Sequence, residues 1–138
     1  MQQLPIFVLV VDDHELTRIS LKLLLSRQQN IRVVGSASNG KEAVELAKQF
    51  PPDVAILDLQ MPVMDGLSAA YEIKKLNRHT QVIAYSCVED PQAEVMSQTV
   101  PVDLFYPKDI SSEILLNSVL RLGRQAQKFH QGFCQRFH

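Results

Sequence analysis

Short runs of β-branched and other apolar residues recur along the chain, each followed by a longer stretch that mixes apolar and polar positions. The runs are Ile6 to Val11, Ile31 to Val34, Val54 to Leu57, Val82 to Tyr85 and, more weakly, Val102 to Tyr106. They alternate little between apolar and polar, as strands covered on both faces do, and each intervening segment is long enough for a crossover helix. This rhythm predicts an α/β domain with a parallel sheet of five strands.

The segments between the runs give the helices. One is predicted from Glu15 to Arg27, with Leu16, Ile19, Leu23 and Leu24 as a single apolar stripe. A second starts with Asn39 as its N-cap and places Ala43, Val44, Leu46, Ala47 and Phe50 before the stop at Pro51-Pro52. A third follows Gly66, turning Leu67, Ala70, Tyr71 and Leu76 toward the sheet. The fourth, after Pro91, has only Ala93, Val95 and Met96 as apolar residues. A last helix begins near Asp109 as N-cap and runs through Ile114, Leu115, Val119 and Leu122; Leu116 and Leu120 widen its apolar face beyond one core stripe, as an interaction surface would. Past Gly123 the sequence becomes rich in Gln and Arg, with Phe129, Phe133 and Phe137 at four-residue intervals, so residues 1–123 are expected to form the domain and 124–138 a C-terminal helical extension or linker. The Phe stripe either packs back on the domain or meets a partner, and Gly132 weakens a helix there.

With 46% hydrophobic and 21% charged residues, the 138-residue chain fits one globular domain with one core, which needs neither disulfides nor a structural metal. Fourteen Lys+Arg balance fifteen Asp+Glu, and no basic run is present, so direct nucleic-acid binding is not expected. Cys87 and Cys134 match no zinc spacing and point to a reducing compartment. The apolar stretch from Leu4 is broken by Pro5 and stopped by Asp12-Asp13, so it reads as neither signal peptide nor membrane span, and a cytoplasmic location without membrane association is expected.

In an open parallel sheet, ligands sit beyond the carboxyl ends of the strands, so the residues that end each run belong together. They are Asp12-Asp13, Asp58, Ser86 and Lys108. Singly, each has an ordinary explanation as a cap, a turn former or a solvated charge. Jointly, three carboxylates at one edge repel one another, and a hard divalent cation, Mg²⁺, would relieve that repulsion. A carboxylate beside such a cation can attack a phosphoryl group to give an acyl phosphate, with Ser86 and Lys108 meeting the phosphoryl oxygens. His14, His79, His130 and His138 read as surface or turn residues.

The segments Val10-Val-Asp-Asp-His14, Asp58-Leu-Gln-Met-Pro-Val-Met-Asp-Gly66 and Phe105-Tyr-Pro-Lys-Asp109 resemble the receiver domain of bacterial two-component response regulators, over about Ile6 to Leu122. The stretch from Val33 to Ala43 is similar to the LuxR-type branch, usually fused to a helix-turn-helix. The resemblance implies a flavodoxin-like (βα)5 doubly wound fold with strand order 2-1-3-4-5. It implies Asp58 as phosphoacceptor from a sensor histidine kinase or acetyl phosphate. Mg²⁺ would be held by Asp12, Asp13, Asp58 and the carbonyl of Gln60. Ser86 and Phe105 would be the switch residues, and the fourth helix, fifth strand and fifth helix the output and dimer surface. Such a chain is a self-phosphorylating, slowly autodephosphorylating signalling domain and not a turnover enzyme.

The sequence departs from the family pattern in several places. Cys87 stands where the family usually has Ala and narrows the site, while Gln60 and Val88 are non-acidic at positions that tune dephosphorylation, so a long-lived phosphoryl state is expected. The common Lys-Pro pair is replaced by Pro107-Lys108-Asp109. The tail has no helix-turn-helix pattern, which suits either a stand-alone receiver or a piece of a longer regulator. Haloacid-dehalogenase phosphatases, flavodoxins and dinucleotide-binding folds each lack their motif here. The remaining alternative is a pseudo-receiver that binds proteins without phosphate.

Overall fold

The computed structural model describes residues 4–61, 63–87 and 102–136, with side chains as far as 128. The elements are β1 (Ile6–Val11), α1 (Glu15–Ser26), β2 (Ile31–Ala37), α2 (Gly40–Gln49), β3 (Val54–Leu57), α3 (Gly66–Leu76), β4 (Gln81–Ser86), β5 (Leu104–Pro107) and a long C-terminal helix, α4 (Ser112–Arg136). The five strands are parallel in the order β2-β1-β3-β4-β5, the doubly wound order expected from the resemblance. β1 and β3 are central, and their continuous apolar runs bury almost every residue because both faces are covered.

Alternation along β1 divides the core in two. Ile6, Val8 and Val10 pack under α1 and α4 with Leu21, Leu25, Leu115, Val119 and Leu122. Leu9 and Val11 face the other way, onto Ala43, Val44, Ala69, Ala70 and Ile73 of α2 and α3. Each fully buried Ile, Leu or Val contributes about 1.5–3 kcal/mol, so these two layers fix the sheet from both faces.

Helix facing differs from the sequence expectation in three places. On α1 the buried residues are Leu21 and Leu25, with Leu24 half-buried, whereas Leu16 is 80% and Leu23 57% exposed. Leucines at 16, 21, 23, 24 and 25 offer two stripes of helical spacing, and periodicity alone does not choose between them. On α3 the small residues Ala69 and Ala70 go inward with Ile73, while Tyr71 and Leu76 are exposed. That helix starts so close to β3 that a Cβ on Gly66 would stand 2.2 Å from the Asp58 carbonyl oxygen, leaving room only for small residues in its first turns. α4 begins after Ser111, whose hydroxyl accepts from Ile114 N at 3.2 Å, rather than at Asp109, and Ile114 is exposed.

Asn39 caps α2 as the sequence predicts, its side chain accepting from Glu42 N at 2.9 Å, and Asp65 caps α3 by accepting from Ser68 N at 2.7 Å. α4 runs unbroken through Gly123, which touches Ile6: a Cβ there would meet that side chain at 2.4 Å. Beyond it, Ala126 is buried, Arg124 donates to the Leu4 carbonyl at 2.7 Å and Gln127 to that of Pro5 at 2.9 Å. The predicted fourth helix (Pro91, Ala93, Val95, Met96), together with Pro62 and Val88, lies outside the described residues, as do the side chains of Phe129 and Phe133 and the whole of Phe137.

Candidate functional site

Four strand ends bring the predicted residues to one rim. Asp12 follows β1 and is fully buried; its backbone N–H bonds the Ala37 carbonyl at 3.0 Å, fixing the turn out of the sheet. Asp58 follows β3, is 3% exposed, and is tied to β1 by its N–H to the Val11 carbonyl at 2.9 Å. Ser86, also buried, ends β4, and its carbonyl accepts from Lys108 N at 2.8 Å, which anchors the residue after β5. Pro107 pairs with Ser86 at the end of β5, where its missing N–H costs the sheet edge nothing.

Lys108 closes the rim. Its Nζ lies 3.0 Å from Asp12 Oδ2 and 3.3 Å from Asp58 Oδ2, so the Pro107-Lys108-Asp109 order brings the ammonium into the pocket. Tyr85 donates its hydroxyl to the Lys108 carbonyl at 2.9 Å and steadies the same corner. Gln60 donates its backbone N–H to Asp58 Oδ1 at 3.1 Å, placing the Gln60 backbone against that carboxylate. Phe105 lies half-buried in β5, packed with Leu59 and Ala84 beside the rim. Cys87 is exposed next to Ser86.

Burial pushes the Asp58 carboxyl up to about 6, reinforced by the charge of Asp12 and opposed by the Gln60 N–H and by Lys108. Lys108 moves upward too: burial works against its charge, but Asp12 and Asp58 together outweigh that cost. Asp12 Oδ2 is buried and is met by the Lys108 ammonium, 3.0 Å away, as an ion pair. Carboxyl oxygens of Asp12, Asp13 and Asp58 lie within 4.8 Å of one another. A hard divalent cation fits this set: three carboxylates that offer oxygen donors, only one ammonium to offset them, and a buried Asp58 whose charge the pocket otherwise disfavours.

Sequence reasoning missed His14. Its Nδ1 stands 3.1 Å from a carboxyl oxygen of Asp12 and 3.1 Å from one of Asp13, and 3.4 Å from Lys108 Nζ. The signal was its position directly after the Asp pair, where the chain leaves β1 at the rim.

Three comparisons bear on this arrangement. The family model of the response regulator receiver domain matches residues 8–120. The nitrate/nitrite response regulator protein NarL of Escherichia coli is 33% identical over 117 residues, 85% of this chain and 54% of NarL. The response regulator protein VraR of Staphylococcus aureus is 33% identical over 126 residues, 91% of this chain and 60% of VraR. The chain therefore spans a little over half the length of these relatives. The signal receiver domain of the putative response regulator NarL from Mycobacterium tuberculosis superposes with a TM-score of 0.81 at 32% identity, covering 88% of this chain and 98% of that one. Among the described residues no helix is long and apolar enough to cross a membrane. By the extent of the family match and by fold, the chain belongs to the response regulator receiver domains of two-component signalling, which are signalling domains and not turnover enzymes.

Proposed function

We propose that the chain accepts a phosphoryl group on Asp58 in a Mg²⁺-dependent reaction and converts that charge change into altered protein contacts. The observation that carries this reading is the meeting of Asp12, Asp58 and Lys108 within 3.0–3.3 Å of the Lys108 Nζ, at the ends of three different strands. Asp12, Asp13, Asp58 and the Gln60 carbonyl would hold the cation, which when bound offsets negative charge on the phosphoryl oxygens.

The remaining chemistry belongs to the chain. An Asp58 carboxylate oxygen attacks phosphorus, the bond to the donor breaks with its electron pair, and the leaving imidazole or acetate departs as the acyl phosphate forms. An acceptor acid near 6 is mostly ionised at neutral pH and stays nucleophilic there. Lys108 gives up its pairing with Asp58 and pairs with a phosphoryl oxygen, while the Ser86 hydroxyl donates to another. Phe105, half-buried beside Leu59 and Ala84, fills the space Ser86 leaves and passes the change to β5.

The family supplies the donor, a sensor histidine kinase, and a cytoplasmic setting. Homodimerisation through the segment after Pro91, β5 and α4 follows from the same reading, as does control of transcription through a region outside these residues. The chain itself then makes no direct contact with nucleic acid. The acceptor set is complete, which favours this reading over a phosphate-independent pseudo-receiver. The test is the time course of phosphoryl incorporation from acetyl phosphate. Lys108→Gln is expected to slow it roughly 100-fold and Ser86→Ala roughly 10-fold. Rates unchanged in both variants would contradict the assignment.

A further inference from the structure

His14 adds a nitrogen donor to a pocket otherwise built from oxygens, and we infer that it makes the site discriminate among divalent cations by adding an imidazole ligand that favours transition metals over Mg²⁺. The inference rests on the reading of the acidic pocket as a cation site. Four facts carry it.

First, the ring nitrogen faces the pocket. Nδ1 lies 3.1 Å from an oxygen of Asp12, 3.1 Å from an oxygen of Asp13 and 3.9 Å from Asp58 Oδ2, and one potential ligand atom from each of the four residues falls within 4.8 Å of the others. Second, these separations are the right size. Neighbouring ligands on an octahedral cation with bonds of about 2.1 Å stand about 3.0 Å apart, so the two short N···O distances match edges of such a polyhedron. Third, Asp12 is fully buried and a carboxyl oxygen of it belongs to the same cluster, so three carboxylates face a single ammonium and the pocket has surplus negative charge to offer a cation. Fourth, the residue is anchored by its backbone: His14 N donates to Asp12 Oδ1 at 2.8 Å, which holds the ring over the rim although the side chain is 63% exposed.

The chemistry follows from ligand type. Carboxylate and carbonyl oxygens suit Mg²⁺, whereas imidazole suits Ni²⁺, Co²⁺ and Zn²⁺. A neutral imidazole metallated at Nδ1 carries its proton on Nε2, the outward nitrogen, so no buried donor is stranded. Mg²⁺ keeps several waters and gains little from one ring nitrogen, so replacing His14 should leave its affinity nearly alone. His14 thus sets which cation fills the site at a given metal supply.

The test is calorimetric titration of the full chain with Ni²⁺ and separately with Mg²⁺, counting as pocket binding only the Ni²⁺ that excess Mg²⁺ displaces. His14→Ala and His14→Gln are each expected to weaken that Ni²⁺ binding at least about 10-fold and Mg²⁺ binding less than about 3-fold. With Mn²⁺ in the pocket, pulsed EPR is expected to show one imidazole nitrogen coupling that both variants lose. Equal weakening of both metals, or Ni²⁺ affinity and nitrogen coupling unchanged in the variants, would overturn the role of His14. Absence of any divalent binding that Mg²⁺ competes for would overturn the cation site itself.

Discussion

The two ends of the sheet use their carboxylates in opposite ways, half-buried or exposed at one end and buried at the other. At the amino end, Asp53 precedes β3 and accepts from Phe7 N at 2.9 Å and from Gln127 at 3.2 Å; Asp103 precedes β5 and accepts from Val82 N at 2.7 Å while pairing with Lys74 at 2.8 Å. Each of these carboxylates finishes a neighbouring strand by taking up its first free N–H. Thr80 completes that end by donating to the Pro52 carbonyl at 2.7 Å. At the carboxyl end, Asp12 and Asp58 sit beside each other and share one ammonium. The difference teaches where charge is held under strain: the amino end satisfies its polar groups from within, and the carboxyl end gathers its carboxylates around one ammonium.

The comparison breaks most visibly at Gly66, which opens α3 against the backbone of Asp58 and Leu59. Gly66→Ala would push a Cβ into the Asp58 carbonyl, 2.2 Å away, and into the Leu59 backbone, so backbone must move. A loss of about 3 kcal/mol or more in denaturant unfolding is expected, and a loss below about 1 kcal/mol would show that the loop has slack. Asp103→Ala removes the acceptor for Val82 N and the partner of Lys74, and should cost about 2 kcal/mol while leaving phosphoryl uptake intact. A slowed uptake with unchanged stability would reverse the roles assigned to the two ends.

Asp58→Asn works in the other direction. Because the folded carboxyl titrates near 6 rather than at its ordinary 3.8, the folded state holds its proton more tightly, and stability falls as pH rises from about 4 through 6. Above pH 6 the metal-free wild type carries a penalty that a neutral Asn lacks. The variant should therefore be more stable at pH 7.5 in the presence of a chelator, by on the order of 1–2 kcal/mol, with the advantage shrinking toward pH 4. Thermal unfolding of both proteins across that range is the check. A variant less stable than wild type at every pH would mean that the pocket does not strain the Asp58 carboxylate.

Much of this was legible in the sequence. Strands buried on both faces spell out continuous apolar runs, so Ile6–Val11 and Val54–Leu57 stand where expected, and their end residues Asp12, Asp58, Ser86 and Lys108 follow from position alone. Helix facing was less legible, because α1 carries two overlapping leucine stripes and α3 turns in alanines rather than its bulkier Tyr71 and Leu76. His14 was hidden for another reason. Its position directly after the acid pair is the whole of its signal, and it takes the turn out of β1 to bring the ring over the carboxylates.

The most direct test of the central claim is an intact mass of the protein after incubation with acetyl phosphate and Mg²⁺, run beside a chelated sample and Asp58→Asn. A gain of one phosphoryl mass that needs the metal and vanishes in Asp58→Asn is the expected result. A gain that persists in Asp58→Asn, or no gain in the wild type with either acetyl phosphate or a kinase donor, would contradict the assignment of Asp58 as the acceptor.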